Sequence, residues 1–278
     1  MKKFLSVFMA LAMILALTAL FVACDNGETE GDTTVAETVA GTEAGTEAGT
    51  AAPETEKSVL KMGTNAYFQP YEFYEGEKIV GIDAEIAAAI AEKLGMTLEI
   101  VDMEFDSILT AVNEGSVDFG MAGMTITEDR LLEVDFSISY ANGVQSIIVK
   151  NDSPITCADD LYAEGANYKV GVQLGTTGDI YATDDFGGDN VTTYSNGNEA
   201  VLALLGGSVD CVIIDNEPAK ALVAANEGLK ILDTAYANED YAICVKKGNS
   251  DLLGKIDAAI MELTEDGTIA SIVAKYIK

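Results

Sequence analysis

From Val59 to the C-terminus, short apolar runs bounded by turn residues alternate with stretches in which apolar residues recur every three to four positions. That alternation constrains the fold more than any other feature. A run of four to eight apolar residues fits a buried strand, and the longer periodic stretches fit helices that cover it. Strands are expected at "VLKMGT", "TLEIVD", "VDFGMAG", "VQSIIVK", "YKVGVQ", "VDCVIID", "LKILD" and "YAICVKK". Helices are expected at "GIDAEIAAAIAEKLG", "FDSILTAVNEG", "GNEAVLALLGG", "NEPAKALVAANEG" and the terminal "DLLGKIDAAIMELTEDGTIASIVAKYI". This order is that of an α/β fold with largely parallel sheets. An internal echo divides it: "LTAVNEGSVDFGMAG" at 109–123 and "LALLGGSVDCVIID" at 202–215 share a helix, a glycine turn, Ser-Val-Asp and a strand. Each of two lobes is expected to own one copy, and 278 residues suffice for two modest cores.

The region before Val59 has a different composition. Lys2 and Lys3 precede the apolar run "FLSVFMALAMILALTALFVA", and Cys24 comes directly after it, so residues 1–23 are expected to be an export signal. Ala23 before Cys24, with Asp25 and Asn26 after it, resembles the lipobox of bacterial lipoproteins, in which the cysteine is lipidated and becomes the mature N-terminus. Phe21 stands where lipoboxes usually carry Leu. The alternative is an uncleaved anchor helix, since the run is also about 20 residues long. Both readings tether the chain to the outer face of the cell membrane. Residues 24–57, with the near-repeat "AGTEAGTEAGTAAPETE", cannot bury enough apolar surface to order themselves and are expected to be an acidic linker.

A net charge of −30 repels phosphate-rich partners, so nucleic-acid binding is disfavoured. The chain has no histidine, which removes every Ser-His and Cys-His arrangement and argues against an enzyme. The acidic loop "TDDFGGDN" lacks the ligand spacing of a calcium loop, so neither metal nor cofactor is expected. Beyond Cys24 only Cys157, Cys211 and Cys244 remain, without a disulfide pattern.

Ligands of open α/β sheets bind beyond the carboxyl ends of strands. One such end leads through Gly123 and Thr125 to Arg130, the only arginine of the chain. A second ends at Asp215, for which a rival structural reading is a helix cap. A third, "GVQLGTTGD", leaves a strand through Gly175 and enters a helix whose first N–H groups can hold an anion. One cation, one anion and a set of free amides at separate strand ends match the charges of a zwitterion.

Across Val59 to Lys278 the sequence resembles the polar amino-acid-binding proteins of bacterial ABC importers, the family 3 solute-binding proteins. The resemblance rests on "GTNAYFQPYEF", "VGIDAEIAAAIAEKLG", "MEFDSILTAVNEGSVDFGMAGMTITEDRLLEVDFSISY", "VGVQLGTTGD", "VDCVIIDNEPA" and "LTEDGTIASIVAKYI". Ile82, where the family commonly has Phe, and Ala84, where it has a larger aliphatic, depart from it. The resemblance implies a two-lobed periplasmic-binding-protein-like (Venus flytrap) fold, with lobe 1 at 59–139 and 242–278, lobe 2 at 145–236, and hinges at 140–144 and 237–241. It implies that Arg130, with the amides of Thr125, Thr176 and Thr177, holds the ligand's α-carboxylate. Asp215 then takes the α-ammonium, shared with the Thr125 hydroxyl and the Gly123 carbonyl. Phe68 and Phe105 flank the side chain, and Asn65 and Gln173 meet its end. Asn65 stands where relatives that bind cationic side chains often carry an acid, so a neutral polar amino acid such as glutamine is expected first and a basic one second. The implied partner is an ABC permease, and the expected state is a monomer. The alternatives on the same fold are an amino-acid-sensing module and a dehydratase-like enzyme.

Overall fold

The computed structural model describes residues 58–277, apart from Thr234. The expected signal segment, Cys24 and the acidic linker lie outside the described residues.

The chain opens with β1 (Val59–Thr64), then a small antiparallel sheet of β2 (Tyr67–Phe68), β3 (Glu72–Glu75) and β4 (Lys78–Val80). This small sheet is absent from the strands expected from the sequence. Its register sets Phe68 opposite Glu72, so both side chains project from one face. α1 (Ile82–Lys93) buries Ile82, Ile86 and Ile90, spaced four apart, and carries Asp83 and Glu85 in its first turn and Lys93 in its last, where the helix dipole favours them. β5 (Thr97–Asp102), α2 (Ile108–Glu114) and β6 (Phe119–Gly120) come next, then α3 (Glu128–Glu133) and β7 (Val134–Phe136). "VDFGMAG" pairs as a strand over only two residues, because Gly123 turns the backbone at φ 52°.

β8 (Ala141–Lys150) carries the chain into a second sheet, built with β9 (Val170–Gln173), α4 (Thr177–Phe186), β10 (Val191–Tyr194), α5 (Gly197–Gly206), β11 (Cys211–Asp215), α6 (Asn216–Ala225) and β12 (Leu229–Ile231). β13 (Ala237–Tyr241) pairs with the start of β8, and β14 (Cys244–Lys246) returns to the first sheet. The expected terminal helix is two, α7 (Ser250–Glu265) and α8 (Thr268–Tyr276), parted at Gly267.

The five-stranded sheet has the order β5-β1-β6-β14-β7 and the six-stranded one β10-β9-β11-β8-β12, with β13 on β8. Both are mixed, not largely parallel. The β1, β5 and β6 pairs and the β9, β10 and β11 pairs are parallel, whereas β8, β12, β13 and β14 pair antiparallel. The antiparallel strands include those that carry the chain between the sheets, and these run against the βα units they join.

Alternation along the strands covers both faces of each sheet. On β11, Cys211 and Ile213 join one apolar cluster while Val212 and Ile214 join another, and β8 divides Ile147 and Val149 from Ile148 in the same way. α1, α7 and α8 cover one face of the first sheet through Ile86, Ile260 and Ile272, and α2 covers the other through Ile108 and Val112.

Candidate ligand-binding site

The carboxyl ends of β1, β6, β9 and β11 converge on a cavity, with about 310 Å³ not filled by atoms there when the part open to solvent is counted. Its lining contains every residue singled out as a ligand contact from the sequence: Asn65, Phe68, Phe105, Gly123, Thr125 and Arg130 from the first sheet's connections, and Gln173, Thr176, Thr177 and Asp215 from the second's. Glu72 and Ala122 complete it.

Arg130 is 6% exposed and is presented by α3, whose cap Thr127 accepts the Arg130 backbone N–H at 3.2 Å. Its guanidinium donates to the Thr125 carbonyl at 2.7 Å and, across to the second sheet's side, to the Gly175 carbonyl at 3.0 Å. Its central carbon lies 5.4 Å from the Phe105 ring centroid. Two backbone acceptors leave three of its five N–H groups for the cavity. Burial lowers its basicity, partly offset by the Glu239 carboxylate, and the group remains a cation.

Asp215 occupies the N-cap position of α6 but makes no capping bond, so the rival reading of this residue fails. Its carboxylate accepts from Gln145 Nε2 at 2.8 Å and from the Tyr241 hydroxyl. Burial and then the Glu239 charge push its pKa up to about 7, against the Tyr241 and Gln145 hydrogen bonds, which lower it. Gln145 Nε2 also lies 3.0 Å from Glu239 Oε2 and 3.3 Å from Thr177 Oγ1, so two amide protons serve three acceptors. The Thr125 hydroxyl donates to Glu239 at 3.1 Å, leaving its lone pairs to face an ammonium.

At the other end, Gln173 Nε2 donates to Asn65 Oδ1 at 2.9 Å and to the Ser195 carbonyl at 3.1 Å, while Asn65 Nδ2 donates to the Met103 carbonyl at 2.8 Å. These two residues therefore bond to each other from opposite sheets. Gly123 is sterically required, since a Cβ there would lie 2.7 Å from Phe68 Cε1 and the backbone φ is positive. Its N–H donates to Asp83 Oδ2 at 2.8 Å.

The family description "Bacterial extracellular solute-binding proteins, family 3" matches residues 60–278. The chain belongs to this family. It is 31% identical over 228 residues to the arginine-binding extracellular protein ArtP of Bacillus subtilis (strain 168), covering 80% of this chain and 88% of ArtP. Among solved structures it resembles an ancestral arginine-binding protein bound to arginine (42% identity, TM-score 0.73, 80% of this chain and 100% of that one). An ancestral arginine-binding protein bound to glutamine matches with 41% identity and a TM-score of 0.74, over 80% of this chain and 98% of that one. The two-lobed periplasmic-binding-protein fold is thus the fold of this family 3 member.

Sequence reasoning left out the residues that surround Asp215. Gln145 carried a weak signal, an amide inside the otherwise apolar run "VQSIIVK", where a buried polar side chain needs partners. Tyr241 carried a weaker one. Glu239, in the polar run "ANEDY", carried none, because only the pairing of β13 with β8 makes that position buried. Of the cysteines, Cys211 and Cys244 are buried, Cys157 is half-buried, and all three are free thiols.

Proposed function

We propose that this family 3 member is the substrate-binding lipoprotein of a bacterial ABC importer, which captures a polar L-α-amino acid outside the membrane and delivers it to the permease. The observation that carries this reading is the placement of Arg130 and Asp215 in one buried cavity, each supplied by a different sheet. Arg130 takes the α-carboxylate with its free N–H groups, assisted by the amides at the start of α4. Asp215 takes the α-ammonium, with the Thr125 lone pairs and the Gly123 carbonyl as further acceptors. A zwitterion satisfies both ends at once.

Lobe 1 comprises 59–139 and 242–278, lobe 2 comprises 145–236, and 140–144 with 237–241 are the hinges. The Arg130 to Gly175 and Gln173 to Asn65 hydrogen bonds then join the lobes in the closed form and part on opening. Phe68 and Phe105 flank a side chain that ends in N–H donors, which suits glutamine first and arginine second. The similar ancestral structures hold these same two ligands, one each. The protein acts as a monomer and a binder, not an enzyme.

Calorimetry against the twenty amino acids tests the reading. One-to-one binding of glutamine, arginine or both is expected, and the absence of heat with every amino acid would overturn it. Membrane fractionation of Cys24→Ser tests the anchor: the variant should move to the soluble fraction with its ligand affinity unchanged.

A further inference from the structure

The Arg130 end of the cavity is built from both sheets, and the two sides meet at a glycine. From the first sheet comes Arg130, its guanidinium 2.7 Å from the Thr125 carbonyl and 5.4 Å from the Phe105 ring centroid. From the second comes the turn 173–177 between β9 and α4, which leads to the first N–H groups of α4 and whose Gly175 carbonyl accepts from Arg130 at 3.0 Å. Gly175 also faces a second residue of the first sheet's connections. A Cβ on Gly175 would lie 3.0 Å from the Asp106 Cβ and 3.4 Å from the Asp106 Cα.

Both sides of this contact are held. Asp106 meets Gly175 with its backbone and Cβ, not with the tip of a flexible side chain, and it lies in the one-turn helix Phe105–Ser107, closed by the Ser107 N–H on the Glu104 carbonyl at 3.0 Å. The same turn carries the Phe105 ring that lies beside Arg130. On the other side the Gly175 N–H donates to Asp179 Oδ2 at 3.0 Å, the Thr176 hydroxyl donates to the Gln173 carbonyl at 2.8 Å, and Thr176 Oγ1 caps α4 by accepting the Asp179 N–H at 3.3 Å. These bonds lock the turn to the start of α4. Carbon atoms pack at about 3.5–4.0 Å, so a methyl group at Gly175 would press the two turns apart by about 0.5–1 Å. The Arg130 bond to Gly175 would then exceed the range of about 2.7–3.2 Å in which such bonds hold.

We propose that Gly175 and Asp106 are positioning residues for the α-carboxylate: their contact fixes how far the N–H groups of α4 stand from the Arg130 guanidinium. This rests on the amino-acid reading of the cavity and on the two lobes assigned above, and it extends both to the point at which lobe 2 halts against lobe 1. A carboxylate that bonds to both sides at once needs one particular spacing, because hydrogen bonds between charged groups are short, about 2.7–2.9 Å. A spacer the size of one methyl group takes one side out of reach. The loss falls on the group that all α-amino acids share, so it is the same for every side chain.

Titration calorimetry of the full chain with L-glutamine and L-arginine, together with thermal melting without ligand, tests the proposal. Gly175→Ala should weaken each ligand that the wild type binds by about tenfold or more, and by the same factor. Its melting temperature should also fall, because a side chain at φ 75° is strained whatever it touches. Asp106→Gly removes the Cβ that the added methyl group meets. The double variant should therefore bind within about threefold of Asp106→Gly alone, while the melting temperature lost to Gly175→Ala is not regained. That split separates position from stability. Unchanged affinity in Gly175→Ala, a loss confined to one of two bound ligands, or a loss that Asp106→Gly does not recover overturns the proposal and leaves the amino-acid reading standing. Should Gly175→Ala fail to fold, Asp106→Ile at this exposed position crowds the same contact with a branched Cβ and should weaken binding in the same way, and unchanged binding there overturns the proposal. A wild type that binds none of the twenty amino acids overturns both readings together.

Discussion

The two copies of Gly-Ser-Val-Asp fold alike and end differently. In the first sheet Gly115 closes α2 in the left-handed conformation at φ 78°, the Ser116 N–H donates to the Ala111 carbonyl at 2.9 Å, and Asp118 accepts the Lys61 N–H at 2.7 Å. In the second, Gly207 closes α5 at φ 79°, the Ser208 N–H donates to the Ala203 carbonyl at 2.9 Å, and Asp210 accepts the Lys169 N–H at 2.7 Å. Each aspartate thus clips the entry to its neighbouring parallel strand, β1 or β9. Beyond the clip the halves diverge. β6 pairs over two residues and runs into the loop that reaches Arg130, whereas β11 pairs over five and stops at Asp215. The same local device positions a strand in both halves, and the segment beyond the strand gives one half a cation and the other an anion.

The largest effect is expected from breaking the cationic end. Arg130→Lys keeps the charge but loses the planar fork, the two carbonyl bonds and the stacking on Phe105, so affinity should fall by about 30- to 1000-fold, or about 2–4 kcal/mol. Calorimetry checks it, and unchanged binding would make Arg130 a purely structural clamp.

Breaking the anionic end should cost less in binding and reveal itself through pH. Asp215→Asn should weaken binding by about 10- to 100-fold. The folded-state pKa of Asp215, about 7, lies above its unfolded value of about 3.9. Its contribution to stability is therefore full below about pH 4 and is lost as pH rises through about 7. Asp83, pushed up to about 6 chiefly by burial, acts in the same sense. Ligand-free wild type should melt at a higher temperature at about pH 5.5 than at about pH 8, and Asp215→Asn should shrink that gap. A wild type more stable at the higher pH would show that the buried acids do not govern its stability.

Asn65→Asp sharpens the comparison at the far end of the cavity, where the two sheets meet through an amide pair. The new carboxylate should shift the ratio of arginine to glutamine affinity towards arginine by about tenfold or more, about 1.4 kcal/mol. A ratio unmoved by the substitution would show that Asn65 does not read the side chain.

The smallest effects should come from the clips themselves. Asp118→Ala and Asp210→Ala each remove one exposed hydrogen bond and should lower stability by about 1 kcal/mol or less, by similar amounts, with ligand affinity within about twofold of wild type. Denaturant unfolding measures the pair, and a much larger loss at one site would show that the shared motif is not a shared device.

Much of this arrangement is local and was legible. "VLKMGT" and "TLEIVD" are β1 and β5 residue for residue, because apolar runs bounded by turns are strands wherever helices cover both faces. The helix ends were legible at Gly115 and Gly207, where positive φ suits glycine, and so was the conjunction of a lone arginine with Asp215 at separate strand ends. The β2–β4 sheet was not, since strands of two to four residues carry too few positions to show a period.

The amino-acid sequence by itself determined the set of α/β units, their turn chemistry and the residue types at the ends of the strands, all of which act within a few residues. Only the tertiary structure decided the surroundings of those residues. The Gln145 bond to Asp215 spans 70 positions and the Thr125 bond to Glu239 spans 114, and neither shows in any window of the chain. The same holds for Glu72 and Asp83, eleven positions apart, whose complete burial only the packing of the small sheet against α1 produces. Burial removes water from a charge, and which charges then share the dry space depends on how distant segments pack.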